Sequence, residues 1–301
     1  MARKVHNYDI FAGHAWYVPG IGGMFALLGW YLVGLVIGVL VNWLLTRFLP
    51  PDAVIDYGMI VVYPVQFIPA MLYAARQSQR NALFEPGYAL DSAHFAPLGT
   101  GGVIGVMVLM TYSATLVFDL PNYLNMKLAR TIPFLSEAYD SLMELMKQMT
   151  GGPLWSSFLT VAIMAPIFEE WLCRGMVLRG LLTKIRPGWA IVLSALFFAL
   201  IHGNPWQALN AFLIGVMMGY VYYKTGSLKL TMLIHFLNNG TAVILSHIES
   251  LKEYDYAIDM FGPTTYYLLV SVSVLVLAGC FFLLRKIPLE YSWGNVDPVK
   301  D

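Results

Sequence analysis

The sequence predicts an all-α, polytopic integral membrane protein with about eight transmembrane helices and one interfacial amphipathic helix. Three observations carry that prediction. Of the 301 residues, 58% are hydrophobic and only 12% are charged; the mean hydropathy is +0.64; and mostly apolar runs of roughly 20 residues, the length needed to cross a bilayer, recur along the chain. A soluble domain is far more polar. Lys plus Arg and Asp plus Glu balance at 18 each, so there is no basic footprint for nucleic acid, and the partner implied by composition is the lipid bilayer.

In chain order the spans fall at 21–46, 54–75, 98–118, 153–183, 188–202, 205–223, 229–246 and 264–284. The first begins too late and runs too long for a cleaved signal peptide, so it is expected to be retained. The fourth is long enough to protrude, and the fifth is short, as a helix buried among neighbours is allowed to be. Between the third and fourth, Phe134, Ala138, Leu142, Leu145 and Met149 recur at spacings of three and four. That stripe predicts an amphipathic helix in the membrane interface, a hydrophobic cover on the bundle in preference to a substrate lid.

Positive charge orients the set, because short loops rich in Lys and Arg stay cytoplasmic. Arg3, Lys4, Arg76, Arg80, Lys184, Arg186, Lys224, Arg285 and Lys286 fall on one side, while Asp52, Asp119, Glu249, Glu253, Asp255 and Asp259 fall on the other. Both termini are therefore expected in the cytoplasm. A compact chain without a retention signal points to a bacterial plasma membrane. No repeat, linker or low-complexity tract divides the chain, so residues 1–301 are expected to form one transmembrane domain.

Ionisable groups inside a bilayer cost a few kcal/mol and mark function or a partner. Few occur here. Glu169, Glu170, Arg174 and Arg179 lie in the fourth span, His202 ends the fifth, and His235, Asn238 and Asn239 lie in the seventh. His6, His14, His94 and His247 fall in tails or at span ends. At 1.5 Å of rise per residue, Glu169 and His202 sit roughly 22 Å from one face and His235 and Asn239 roughly 9 to 15 Å, so the four can meet within the bundle.

Residues four apart share a helical face, so Glu170 can pair with Arg174, Phe198 with His202, and His235 can stand beside Asn239. Glu169 and Glu170 point about 100° apart. One of them is expected to face a cavity while the other holds Arg174 as a structural ion pair.

A carboxylate in a damp, low-dielectric cavity is a usable general base for water. Hydrolysis of an amide also needs donors where negative charge develops on the carbonyl oxygen, and a histidine plus an asparagine amide can supply them. Glu169, His202, His235 and Asn239 contain those parts. Each has a duller reading: a buried Glu–Arg pair as helix glue, His202 as a cap beside "HGNPW", His235 and Asn239 as interhelical hydrogen bonds. The Phe198 ring reads as a wall that orients His202 and excludes water. Of the two cysteines, Cys173 is one turn from Glu169, yet an apolar helical cysteine is ordinarily inert packing, and neither Cys173 nor Cys280 suggests a disulfide.

The stretches "EEWLCR" (169–174), "FALIH" (198–202) and "HFLNN" (235–239) match EExxxR, FxxxH and HxxxN in order. Together they resemble the CAAX protease and bacteriocin-processing family, also called CPBP or Abi, with a motif-bearing core over residues 153–246. The resemblance implies that Glu169 activates the attacking water together with His202, that His235 and Asn239 stabilise the oxyanion, and that Glu170 and Arg174 support the geometry. The implied substrate is a membrane-associated or lipidated, CAAX-like protein or peptide. Members of the family have been named metalloproteases, although the better understood ones look like glutamate-dependent proteases. No cofactor is favoured here; zinc is the one candidate, and its ligands would be Glu169, His202 and His235, since there is no HExxH pair. Two alternatives belong to other classes. A bacteriocin-immunity or scaffold protein would keep the fold without turnover, and a secondary transporter would be expected to show inverted halves, which the sequence lacks.

Overall fold

Apolar segments that must satisfy their own backbone hydrogen bonds form helices, and helix is the only regular structure among the described residues. A computed structural model describes residues 17–80, 95–150, 152–251, 254 and 256–289. Arg3, Lys4, His6, His14, His94, Glu253 and Asp255 lie outside these residues, as do the side chains of Arg80, Leu145 and Met149.

Helix α1 covers Ile21–Phe48, and the next predicted span is a pair, α2 (Pro51–Val65) and α3 (Ile68–Arg80). Pro64 interrupts the pattern, and the N–H groups of Gln66 and Phe67 turn back onto the carbonyls of Tyr63 and Pro64 at 3.2 and 3.1 Å. The break rests directly against α1. A Cβ at Gly34 would lie 1.8 Å from the Gln66 carbonyl oxygen, so only glycine admits this approach.

Helix α4 (Gly99–Ala129) continues past the span expected at 98–118. Its last turns carry Leu120, Tyr123, Leu124 and Leu128, and Lys127 near the end complements the helix dipole. Helix α5 (Pro133–Thr150) forms where the amphipathic helix was expected. Phe134 is 75% exposed, whereas Tyr139 is buried against Trp206 and shares a 3.2 Å hydroxyl contact with Tyr256.

The fourth predicted span is a continuous helix, α6, over residues 154–182. Turns of α-helix at Leu154–Ser157, Ala165–Glu170 and Arg179–Leu182 alternate with π-helical segments at Phe158–Met164 and Trp171–Leu178. Every residue from Glu170 to Thr183 is buried. Helices α7 (Pro187–Ile201), α8 (Pro205–Thr225) and α9 (Leu228–Ser246) follow, then a short α10 (Ala257–Phe261) and α11 (Pro263–Arg285). Two caps separate the inner helices. Asn204 Oδ1 accepts from the Trp206 and Gln207 N–H groups at 2.9 and 3.4 Å, and Ser227 Oγ accepts from the Leu230 N–H at 3.4 Å.

Among the described residues, five runs are long and apolar enough to cross a membrane: Ile21–Phe48, Pro51–Ser78, Gly99–Ala129, Leu228–Ser246 and Pro263–Arg285. The remaining predicted spans, 153–183, 188–202 and 205–223, are helical but of another kind. Helix α6 carries four charged residues, and the 15 residues of α7 extend only about 22 Å. Such helices suit the protein interior better than lipid. Cys173 and Cys280 are both free and buried.

Candidate active site

The polar residues of three helices meet beside Glu169 and Glu170. Because the two carboxylates are adjacent on an α-helical turn of α6, they diverge, and their surroundings differ sharply. Glu170 is fully buried and its Oε1 accepts from Arg174 Nη1 at 2.7 Å and from His235 Nδ1 at 3.0 Å. Arg174 also donates through Nη2 to the Gly215 carbonyl at 3.0 Å, and its guanidinium lies 4.5 Å from the Phe198 ring centroid. Glu170 thus holds the ion pair.

Glu169 faces the more open side, with its side chain 12% exposed. Its Oε1 accepts a hydrogen bond from the Tyr63 hydroxyl. No hydrogen bond among the described residues reaches the buried Oε2, which instead faces His202 Nε2 at 3.9 Å and His235 Nε2 at 3.8 Å.

The far nitrogen of each imidazole is engaged. His202 Nδ1 lies 2.7 Å from the Phe198 carbonyl, one turn back on α7, and a carbonyl only accepts, so Nδ1 carries the proton there. Nε2 is thereby the nitrogen of His202 that faces Glu169. His235 Nδ1 donates to Glu170 in the same way. Phe198 packs edge-on against both rings, at 4.6 Å from His202 and 5.6 Å from His235. Phe198 thus borders both histidines and Arg174.

Asn239 lies one turn after His235 on α9. Its Nδ2 donates to the Val161 carbonyl at 3.0 Å, and its Oδ1 accepts from Asn238 Nδ2 at 3.1 Å. Asn238 Oδ1 in turn accepts from Thr115 Oγ1 at 3.4 Å. This chain fixes which end of the Asn239 amide is the donor, and the NH2 group has two protons to give. The hydrogen bonds of Asn239 run to Asn238 and to the π-helical segment Phe158–Met164, not to Glu169.

Two tyrosines were absent from the sequence expectations. Tyr63 reaches Glu169 from α2, and Tyr31 on α1 donates to the Ile201 carbonyl at 3.2 Å, one residue before His202. A hydroxyl beside the proline that breaks an otherwise apolar span, as in "VVYPVQF", is the signal that points to Tyr63. Arg179, also intramembrane by sequence, is turned away from this cluster and donates to the Gly175 and Tyr17 carbonyls at 2.8 and 2.7 Å.

A zinc ion with bonds of about 2.0–2.2 Å holds tetrahedral ligand atoms roughly 3.3–3.5 Å apart. The Glu169–imidazole separations of 3.8 and 3.9 Å are wider, and no three His, Cys, Asp or Glu side chains among the described residues are gathered as a metal set. The residues do not fit a metal as they stand. A water molecule between Oε2 and the two nitrogens would find an acceptor and a neighbouring lone pair at hydrogen-bonding range.

Residues 151–241 match the family model described as type II CAAX prenyl endopeptidase Rce1-like. No curated protein and no solved structure matches the chain. The matched stretch holds Glu169, Glu170, Arg174, Phe198, His202, His235 and Asn239 and leaves out Tyr31 and Tyr63. Over residues 151–241 this chain is therefore similar to the type II CAAX prenyl endopeptidase Rce1-like family, which is consistent with the resemblance to the CAAX protease and bacteriocin-processing family drawn from its motifs.

Proposed function

We propose that this protein is an intramembrane endopeptidase that hydrolyses a peptide bond of a membrane-associated or lipidated, CAAX-like protein or peptide, using water activated by Glu169. The observation that carries this is the buried Oε2 of Glu169, unpartnered within the protein and faced by two imidazole nitrogens. Glu170 Oε2 also lacks a hydrogen bond, but that carboxylate is fully buried and already paired with Arg174, whereas Glu169 is on the more open side with its free oxygen before the two imidazoles.

In the proposed step, water donates one hydrogen bond to Glu169 Oε2 and one to the lone pair of His202 Nε2. Glu169 takes the proton as the water oxygen attacks the substrate carbonyl carbon. The resulting oxyanion accepts from Asn239 Nδ2 and from His235 Nε2, which is a donor when the ring is an imidazolium with its other N–H on Glu170. Collapse breaks the C–N bond, and the proton held by Glu169 passes to the leaving amine. One water is consumed and two chain ends result. Glu170, Arg174 and Phe198 touch no reacting atom; they hold His235 and His202 in place.

The proposed topology is eight spans with both termini cytoplasmic, in a bacterial plasma membrane. The Lys and Arg distribution supports the orientation, and five of the expected positions hold helices long and apolar enough to cross a membrane. A phosphatase that is active only outside the cytoplasm should be inactive when fused after residue 301; an active fusion would reverse the orientation. No metal takes part in this proposal, because the donor set is too widely spaced for one. Stoichiometric zinc in purified protein, lost in His202→Ala, would overturn that point.

The endopeptidase assignment is tested by comparing peptide N-termini in host membranes carrying equal amounts of wild-type protein and Glu169→Gln. New termini present only with the wild type are expected. Identical profiles at matched expression would leave a non-catalytic immunity or scaffold protein in its place.

A further inference from the structure

Glutamate has three rotatable side-chain bonds, and fixing it costs up to about 2 kcal/mol of rotamer entropy. Glu170 is fixed by Arg174 and His235, but no residue of the Rce1-like stretch does the same for Glu169. The hydroxyl that holds it comes from Tyr63, 106 positions away in the chain.

Tyr63 is itself clamped. Its ring packs against Phe67 with centroids 5.5 Å apart, Phe67 stacks on Phe168 at 5.3 Å and 24°, and Tyr31 leans on Phe67 at 5.3 Å. Phe168 directly precedes Glu169, and the Tyr31 hydroxyl holds the carbonyl directly before His202. The aromatic group therefore grips both the carboxylate helix and the end of the helix that presents His202. The break after Pro64, admitted by Gly34, brings Phe67 and Tyr63 to this level together.

We propose that Tyr63 is the positioning residue for Glu169: by donating to Oε1 it leaves Oε2 alone aimed at His202 and His235, so the site is completed by helices outside residues 151–241. This rests on the endopeptidase assignment for its kinetic consequence but not for its geometry. Removing the hydrogen bond that orients a reacting carboxylate is expected to lower activity about 10–100-fold, the range found where such partners orient metal ligands. Tyr63→Phe keeps the ring and its packing, so the loss should fall on kcat with KM nearly unchanged.

The test uses the full chain in bilayers and an internally quenched, S-farnesylated CAAX-type peptide. Tyr63→Phe should lose about 10–100-fold in kcat, while Tyr57→Phe, on the same helix but stacked on Trp155, should lose nothing. Infrared difference spectra supply a readout independent of turnover. Wild type minus Tyr63→Phe should show a shifted carboxylate stretch that vanishes when both proteins also carry Glu169→Gln. If Tyr63→Phe does not fold, 3,5-difluorotyrosine placed at position 63 keeps ring and hydroxyl, and its stronger donor should shift the same band in the opposite sense. A wild type that does not cleave while the band behaves as described would sink the protease assignment and leave Tyr63 holding Glu169. Full kcat in Tyr63→Phe, or bands that persist with Glu169→Gln, would overturn the role of Tyr63.

Discussion

Glu169 and Glu170 are neighbours in sequence and opposites in environment. Around Glu170, Oε1 takes Arg174 at 2.7 Å and His235 at 3.0 Å, and the guanidinium spends its other arm on the Gly215 carbonyl. Around Glu169 one oxygen is held by Tyr63 and the other faces two nitrogens just beyond hydrogen-bonding range. The difference teaches how one helical turn can hold both a support and a reactive group. A buried charge survives when its partners are supplied by the protein, whereas a base for water needs a lone pair the protein leaves open. The angular step of about 100° between adjacent helical residues is enough to separate the two conditions.

Substitutions on the two faces should therefore fail in different ways. The largest effect is expected from Glu169→Gln, which keeps shape but removes the base, and should lower turnover by about 10²–10⁴-fold with thermal unfolding unchanged. Kinetics and melting on the same preparation decide it; a loss of folded protein matching the loss of rate would erase the contrast with Glu170. On the other face, Arg174→Met leaves the Glu170 carboxylate buried beside a single imidazole. Breaking a buried pair from one side costs about 3–5 kcal/mol, so a much lower unfolding temperature in detergent is expected. Pairing Arg174→Met with Glu170→Gln should restore most of it, and a double variant as unstable as the single would show that packing around Phe198, not charge, dominates there.

Asn239→Ala sharpens the comparison further, because Asn239 is on the same helix as His235 but bonds to α6 by a different route. Loss of one oxyanion donor costs about 10²–10³-fold in kcat, or about 2.7–4 kcal/mol of transition-state stabilisation. A similar rise in KM instead would mean that Asn239 binds the substrate rather than its transition state.

The parts legible from sequence were those whose partners are local. Glu170 and Arg174 are four apart on one helix, as are Phe198 and His202, and both pairs form as spacing predicted. The His202 helix ends where "HGNPW" places a cap, with Asn204 accepting from the next turn. Tyr63 escaped because the hydroxyl beside Pro64 marks a position but not its partner, which is on another helix 106 residues later. The π-helical segments of α6 escaped for a different reason, since 3.6-residue periodicity assumes hydrogen bonds of one spacing, and the wider turns at Phe158–Met164 and Trp171–Leu178 do not follow it. On α5, apolarity alone does not single out the buried residue. Phe134 and Ala138 made the better stripe, yet Tyr139, which can both stack on Trp206 and meet Tyr256, is the residue turned inward.

The smallest effect is expected at the remaining reactive group. Cys173 lies one turn from Glu169 and four positions after it, where a thiol nucleophile could be imagined. Its side chain is wholly buried, and its backbone carbonyl accepts from Ser194 Oγ at 2.9 Å, tying α6 to α7 on the side away from the open face. A fully buried thiol is out of reach of substrate and reagent. Cys173→Ala should cost on the order of 1 kcal/mol in stability and leave kcat unchanged, and a membrane-permeant maleimide should label neither Cys173 nor the buried Cys280 until the protein is unfolded. Retained turnover in Cys173→Ala beside lost turnover in Glu169→Gln assigns the chemistry to the carboxylate. The reverse pattern would move the nucleophile to sulfur and make Glu169 the supporting residue.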